Sequence, residues 1–230
     1  IVLDYFSGSG TTAEAVFNYN LENRKNLKFI LIQIAEDIDK TLKLMNAGEK
    51  NIALKSINFL DKYRKPHFIT EIGKERIRRA GEKIKADNPL TTQDLDIGFR
   101  VFKVDSSNMN DVYYSAGEYS QDMLVNLEDN IKPDRTDLDL LFGCLLDWGL
   151  PISLPYTSEQ IENCTVHTYN DGDLVACFDE NIPESVIKEI AKRKPLRAVF
   201  RDAGFGSSPE KINVTEIFKM LAPDTDVKVI

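Results

Sequence analysis

Cysteine and histidine are scarce in this chain of 230 residues, and their scarcity excludes whole classes of chemistry. Cys144, Cys164 and Cys177 are scattered, with no C-x-x-C pair. An odd, sparse count argues against a disulfide framework and against a zinc site, and reads as three reduced structural thiols. His67 and His167 are the only histidines, and both read as strand-face residues rather than ligands or bases. No apolar run reaches the roughly 18 residues that a membrane span needs. The first residues read as a strand rather than a signal peptide, so a cytoplasmic location is expected. No G-x-x-x-x-G-K-[ST] segment occurs, which removes the mononucleotide P-loop.

What remains is an ordinary globular composition, 42% hydrophobic and 29% charged. The length suits one large domain or two small ones. The net charge of −8 is uneven: residues 1–90 carry +4 and residues 91–230 carry −12. An acidic C-terminal part repels phosphate and makes a poor DNA-gripping surface. The chain opens on Ile rather than Met and reads as a fragment cut from a longer protein.

Residues 1–6 read as a short, fully buried strand, residues 11–19 as a helix, and LKFILIQIAED (27–37) as a second buried strand ending in acid. Strand, turn, helix and strand make a βαβ unit. Residues 38–66 are expected to be helical or irregular. HFITEIG (67–73) reads as a strand, and KERIRRAGEKIKA (74–86) as a basic helix. A boundary is placed in the polar segment near 86–94, dividing the chain into 1–92 and 93–230. IGFRVFKVD (97–105) alternates as a strand does. Residues 133–151 read as a helix with Leu138, Leu141, Phe142, Leu145 and Leu146 at helical spacing, stopped by Gly149 and Pro151. The tail gives a hairpin turning at Asp171-Gly172, a helix entered through Pro183, a strand at LRAVFRD, a helix at SPEKINVTEIFKML and a final strand. The fold class is α/β.

The opening segment IVLDYFSGSGTTAEAV carries the strongest chemical signal. Gly8 and Gly10 permit positive φ and close approach of a ligand to the backbone. The helix behind them offers unpaired N–H groups and the positive end of its dipole. Residues 8–13, GSGTTA, formally satisfy the dinucleotide pattern G-x-G-x-x-G/A. S-adenosylmethionine has no pyrophosphate and presents a zwitterionic amino-acid end. An acid at the strand end, Asp4, and hydroxyls at the helix start, Thr11 and Thr12, suit it better. Glu36 ends the second strand, where an acceptor-only carboxylate suits a ribose diol.

Residues 4–12, DYFSGSGTT, resemble the D-x-F-x-G-S-G-T-T cofactor motif of those DNA amino-methyltransferases that place their catalytic motif first and their cofactor motif last. With FILIQIAE (29–36), IGKERIRR (72–79), GFRVFK (98–103), LRAVFRD (196–202) and the final strand, the chain resembles the methylation (Mod) subunit of type III restriction-modification systems. The resemblance spans nearly the whole chain. It implies a partial Rossmann-like methyltransferase core followed by a small α/β C-terminal domain. It also implies S-adenosylmethionine as cofactor, with Phe6, Gly8 and Gly10 shaping the turn, Asp4 at the methionine amino group, Thr11 and Thr12 at the carboxylate, and Glu36 at the ribose. The implied reaction is methyl transfer to an exocyclic base amine, usually adenine N6, on a base flipped out of the duplex. The implied partners are DNA, a second Mod subunit and the restriction (Res) subunit.

The family's catalytic motif, [D/N/S]-P-P-[Y/F/W], is absent, since the chain contains no Pro-Pro. Its nearest lookalike, SLPY (153–156), follows the cofactor motif and reads as a turn after a helix. No catalytic residue is therefore assigned, and the fragment alone is expected to be inactive, with DNA held mainly by a preceding part. The basic helix 74–86 reads as a DNA-backbone contact or as a solvated amphipathic face with Ile77, Ala80 and Ile84 inward. Residues 105–230 read as an assembly surface. Asp202, Gly204 and Gly206 resemble a ligand turn but equally suit a tight strand-to-helix connection. Two other readings stay open: a dinucleotide-binding oxidoreductase fragment, and a non-catalytic assembly module with a vestigial turn.

Overall fold

The computed structural model describes residues 1–110, 130–205 and 208–230, and its contacts divide the chain into two units, Ile1–Arg100 and Val101–Ile230. Each is a mixed α/β assembly.

In the first unit, β1 (Val2–Asp4) pairs in parallel with β2 (Phe29–Leu31), and α1 (Thr11–Asn23) connects them. The pairing runs on past the ladder: the Ile32 amide donates to the Asp4 carbonyl and the Ser7 amide to the Ile32 carbonyl. Three helices follow, α2 (Ile38–Leu42), α3 (Ala47–Lys62) and α4 (Ile69–Asp87). Ala13 and Phe17 of α1 pack with Ile77, Ala80 and Ile84 of α4, and Phe29, Leu31, Leu95, Ile97 and Phe99 close this core. The inward spacing of Ile77, Ala80 and Ile84 is that of one helix face.

Both strands are shorter and barer than the sequence suggests. Phe29 and Leu31 face the helices, whereas Leu3, Ile30 and Ile32 are about half exposed on the opposite face and Phe6 is 90% exposed. A side-chain period of two sends alternate residues to a face that no element of this unit covers. Residues 67–73 are not a strand. Only Phe68 makes a bridge, to Asp37, and the helical turn begins at Ile69. Residues 97–105 also form no strand. Ile97 and Phe99 point inward with the expected alternation, but no ladder partner meets them among the described residues.

In the second unit, β3 (Tyr156–Ile161), β4 (Cys164–Tyr169), β5 (Leu174–Cys177), β6 (Arg197–Phe200) and β7 (Asp226–Val229) form one sheet in sequence order. The first two pairings are antiparallel and the last two parallel. Helix α5 (Asp137–Asp147) covers one face, where Leu140, Leu141, Cys144 and Leu145 meet Tyr169, Leu174, Ala176, Phe178 and Val199. Helices α6 (Glu184–Lys192) and α7 (Ser208–Leu221) cover the other, with Val186, Ile190, Val214 and Phe218 against Val166, Val175, Cys177, Ala198 and Phe200. Both faces are buried, so β5 reads as an unbroken apolar run.

The buried stripe of α5 is rotated from the expected one: Leu138 and Leu146 are exposed, and Leu140 and Cys144 take their places. Strand β3 begins at Tyr156, so the SLPY segment leads into a strand rather than merely ending a helix turn. No helix among the described residues is long and apolar enough to cross a membrane.

Candidate functional site

The glycine turn joins β1 to α1 as a built structure. Gly8 and Gly10 both adopt left-handed backbone, with φ of 52° and 76°, a region that costs other residues about 1–2 kcal/mol. A Cβ on Gly8 would meet open space, and one on Gly10 would press on the Gly73 carbonyl at 3.3 Å and on Ile77 at 3.4 Å. Gly73 in turn lies against the Gly8 carbonyl and the Ser9 backbone. The turn therefore rests on a bare patch of α4, the element that the sequence offered only as a basic helix.

Two side chains hold the turn's ends. Asp4 accepts the Thr12 hydroxyl at 2.5 Å on one oxygen and the Phe6 amide at 3.1 Å on the other. Gln33, just beyond β2, accepts the Gly8 amide at 2.7 Å. Neither Gln33 nor Gly73 was singled out from the sequence. A glutamine after a strand and a glycine inside a helix carry no signal without the fold that brings them to residues 8–10.

The amide of Gly10 is satisfied by the Ser7 carbonyl. No side chain caps the helix that follows: Gly10 occupies the N-cap and has none to offer. The first-turn N–H groups of α1 thus face outward without a protein acceptor from the cap position. Thr11 is exposed and Thr12 half-buried. The Thr12 hydroxyl is committed as a donor to Asp4, which leaves it only lone pairs for a ligand.

Glu36 is exposed beyond the end of β2, and its carbonyl accepts the Ile69 amide at the start of α4. The adjacent Asp37 is an N-cap: its carboxylate accepts the amides of Asp39 and Lys40 of α2, and these bonds, led by the Lys40 amide, hold its pKa below the usual carboxylate range. Of the two acids that end this segment, Asp37 is consumed by the fold and Glu36 projects to solvent.

The basic helix divides in the same way. Arg78 and Arg79 both bond Glu75, at 3.1 and 2.7 Å. Arg79 also lies over the rings of Phe59 and Tyr63, at 4.8 and 5.4 Å, and Arg78 over Phe99 at 5.8 Å. These guanidinium groups cement α4 to its neighbours. Arg76, Arg78 and Arg79 are all exposed, so the contacts of Arg78 and Arg79 are made at the surface of the helix.

In the second unit His167 is a buried strand residue, bonded to Ser158 and Asp137. Asp202 accepts Lys211, and a Cβ on Gly204 would strike the Asp179 carbonyl at 2.9 Å, so this turn is a tight connection. Gly206 lies outside the described residues. His67, by contrast, sits before α4 rather than on a strand and bridges Asp39 and Asp61.

No family profile matches the chain. Individual relatives do. The Mod subunit of the type III restriction-modification enzyme StyLTI of Salmonella typhimurium is 36% identical over 103 residues, which is 45% of this chain and 13% of that protein. The EcoP15I Mod subunit of Escherichia coli is 25% identical across 96% of the chain, and the EcoPI Mod subunit of Escherichia phage P1 27% identical across 92%. Both of those matches cover 30% of the relative, so the chain spans under a third of the length of the proteins it resembles. Along nearly its whole length, the chain is similar to Mod subunits of type III restriction-modification enzymes.

Proposed function

We propose that the chain supplies the cofactor-binding half of a site-specific DNA methyltransferase of a type III restriction-modification system. The cofactor is S-adenosylmethionine, and the target is adenine N6. The observation that carries this reading is the uncapped, left-handed glycine turn between two parallel strands, locked by Asp4 and Thr12.

The residues present fit the group. Open space at the Cβ position of Gly8 leaves a cradle for a ligand against the backbone. Asp4 holds the methionine ammonium through lone pairs that Thr12 and Phe6 leave over. The carboxylate end falls to the first-turn amides of α1 and to the Thr11 hydroxyl, because the Thr12 hydroxyl is already donated to Asp4. Phe6, Gly8 and Gly10 shape the turn, with the ring of Phe6 exposed at its mouth. Glu36 accepts the ribose hydroxyls. When bound, S-adenosylmethionine supplies an electrophilic methyl group on a sulfonium.

This chain carries no Pro-Pro and hence no [D/N/S]-P-P-[Y/F/W] segment to hold the target amine, so by itself it transfers no methyl group. The uncovered face of the β1–β2 pair supports a split core. Leu3, Ile30, Ile32 and Ile34 form an apolar strip, and parallel strands of this composition are normally covered on both sides. The remainder of the methyltransferase core packs there and brings the catalytic motif to the cofactor, and it also carries most of the DNA contacts. The second unit serves assembly with a second Mod subunit and with Res, and its acidic surplus suits a protein partner better than DNA.

Ultraviolet cross-linking of methyl-labelled S-adenosylmethionine to the chain, with excess NAD as competitor, tests the reading. Label is expected on a peptide spanning the glycine turn, unaffected by NAD, with no transfer of label to DNA. Competition by NAD would transfer the site to the oxidoreductase reading, and methyl transfer to DNA by the chain alone would overturn the split core.

A further inference from the structure

Two of the three cysteines, far apart in sequence, come together in space. Cys164 opens β4 and Cys177 ends β5, and the antiparallel pairing Val166↔Cys177 turns both side chains to the α6–α7 face. Asp179 follows on the same edge. One ligand atom from each of Cys164, Cys177 and Asp179 lies within 4.8 Å of the other two. Cys144 sits in the other core, beneath α5.

The carboxylate is positioned rather than loose. Asp179 accepts the Thr165 amide at 2.5 Å and the Cys177 thiol at 3.8 Å. Its backbone is pinned from behind, since the bare Gly204 is what leaves room for the Asp179 carbonyl and the Ile182 amide bonds the Gly204 carbonyl. The cluster lies at the rim of the core: both sulfurs are buried and Asp179 is half-exposed, which gives a path to solvent.

We propose that Cys164, Cys177 and Asp179 form a binding site for a soft divalent cation of the zinc class, with two thiolates, one carboxylate and a fourth position open. Soft sulfur donors select such cations. Tetrahedral zinc with sulfur at about 2.3 Å and oxygen at about 2.0–2.2 Å sets its donors roughly 3.5–3.8 Å apart, so closure takes movements of about 1 Å. The register disfavours a disulfide. Cys164 and Cys177 are diagonal neighbours, for which Cα atoms stand about 7–8 Å apart, beyond the usual disulfide limit of about 6.8 Å.

Binding is coupled to protons. Each thiol gives its proton to solvent as its sulfur–metal bond forms, and the carboxylate binds as it stands, so one cation displaces two protons. Burial pushes the Cys177 thiol up to about 12 and raises that of Cys164 as well.

Titration of the reduced chain with Cd2+, followed by thiolate-to-metal charge-transfer absorbance and then by Zn2+ competition, tests the site. One equivalent is expected per chain, displaced by Zn2+. Cys164→Ser and Asp179→Asn, each verified as folded by circular dichroism, are expected to weaken binding on the order of tenfold or more. Cys144→Ser is expected to leave it unchanged. Absence of the band in the parent chain, its persistence in both Cys164→Ser and Asp179→Asn, or loss of two free thiols under mild oxidation without metal would each overturn the proposal.

Discussion

The hydroxyl of Thr12 donates to the carboxylate of Asp4 at 2.5 Å, tying the end of the first strand to the first turn of the helix that follows the glycine loop. The bond spans eight residues and encloses Gly8 and Gly10, so the turn's shape depends on it. Thr12→Val keeps the volume and removes the donor. It is expected to destabilise the chain by about 1 kcal/mol, while Thr12→Ser, which keeps the hydroxyl, stays close to the parent. Urea unfolding of the three proteins checks this.

The two glycines of the turn are expected to differ. Both are left-handed, but only Gly10 faces a wall, the Gly73 carbonyl at 3.3 Å. Gly8→Ala carries the backbone strain alone, about 1 kcal/mol. Gly10→Ala adds the contact with α4 and is expected to lower the melting temperature further. Gly73→Leu is expected to behave like Gly10→Ala, since it fills the same interface from the other side, whereas Gly149→Ala is strained but meets nothing within 4 Å.

Stability of the first unit is expected to fall as pH rises through and above neutrality. His67 bonds Asp39 at 2.8 Å through Nδ1 and Asp61 at 2.9 Å through Nε2. Asp61 first, then Asp39, raise its pKa above the ordinary histidine value. A raised folded-state pKa gives stability that is complete below the unfolded value of about 6.5 and is lost as pH climbs through the folded value. Thermal melts from acid to alkaline pH should show this slope in the parent and lack it in His67→Gln. A parent melting temperature that is flat, or that rises, across the same range would remove the bridge from the account.

The arginines of α4 are expected to act on stability rather than on DNA. Arg79 is held by Glu75 and by the rings of Phe59 and Tyr63. Arg79→Ala and Glu75→Gln should both lower the melting temperature, and Arg76→Ala should not. In the proposed full-length methyltransferase, DNA affinity should be unchanged by Arg79→Ala, and a clear loss would restore the DNA-backbone reading of this helix.

Much of this was legible in the sequence because local chemistry decided it. The β1–turn–α1–β2 order followed from an apolar run, two glycines and a helix-forming stretch, and α6 followed from Pro183, which stands at its N-cap. The failures lie where the partner decides. Residues 97–105 alternate as a strand, yet a strand exists only if another meets it, and none does among the described residues. Residues 67–73 are rich in strand-favouring side chains, but Gly73, Ile77, Ala80 and Ile84 form one buried helical face, and that burial draws Ile69–Gly73 into the same helix. Strand β3 was missed because its buried side is nearly blank, with Tyr156 and Ile161 half-buried and the four residues between them exposed. In the site, the glycine turn and its acid were readable, whereas Gln33 and Gly73 were not, because only the fold brings them to residues 8–10. The cysteine cluster depends wholly on strand register.

The measurement that bears most directly on the central claim is the coding sequence upstream of the Ile1 codon. The expected result is an in-frame [D/N/S]-P-P-[Y/F/W] segment, followed by a long insert and then Ile1, which would join a catalytic half to the proposed cofactor half. An initiator codon immediately before Ile1, with no such segment, would contradict it and leave the glycine turn without a reaction to serve.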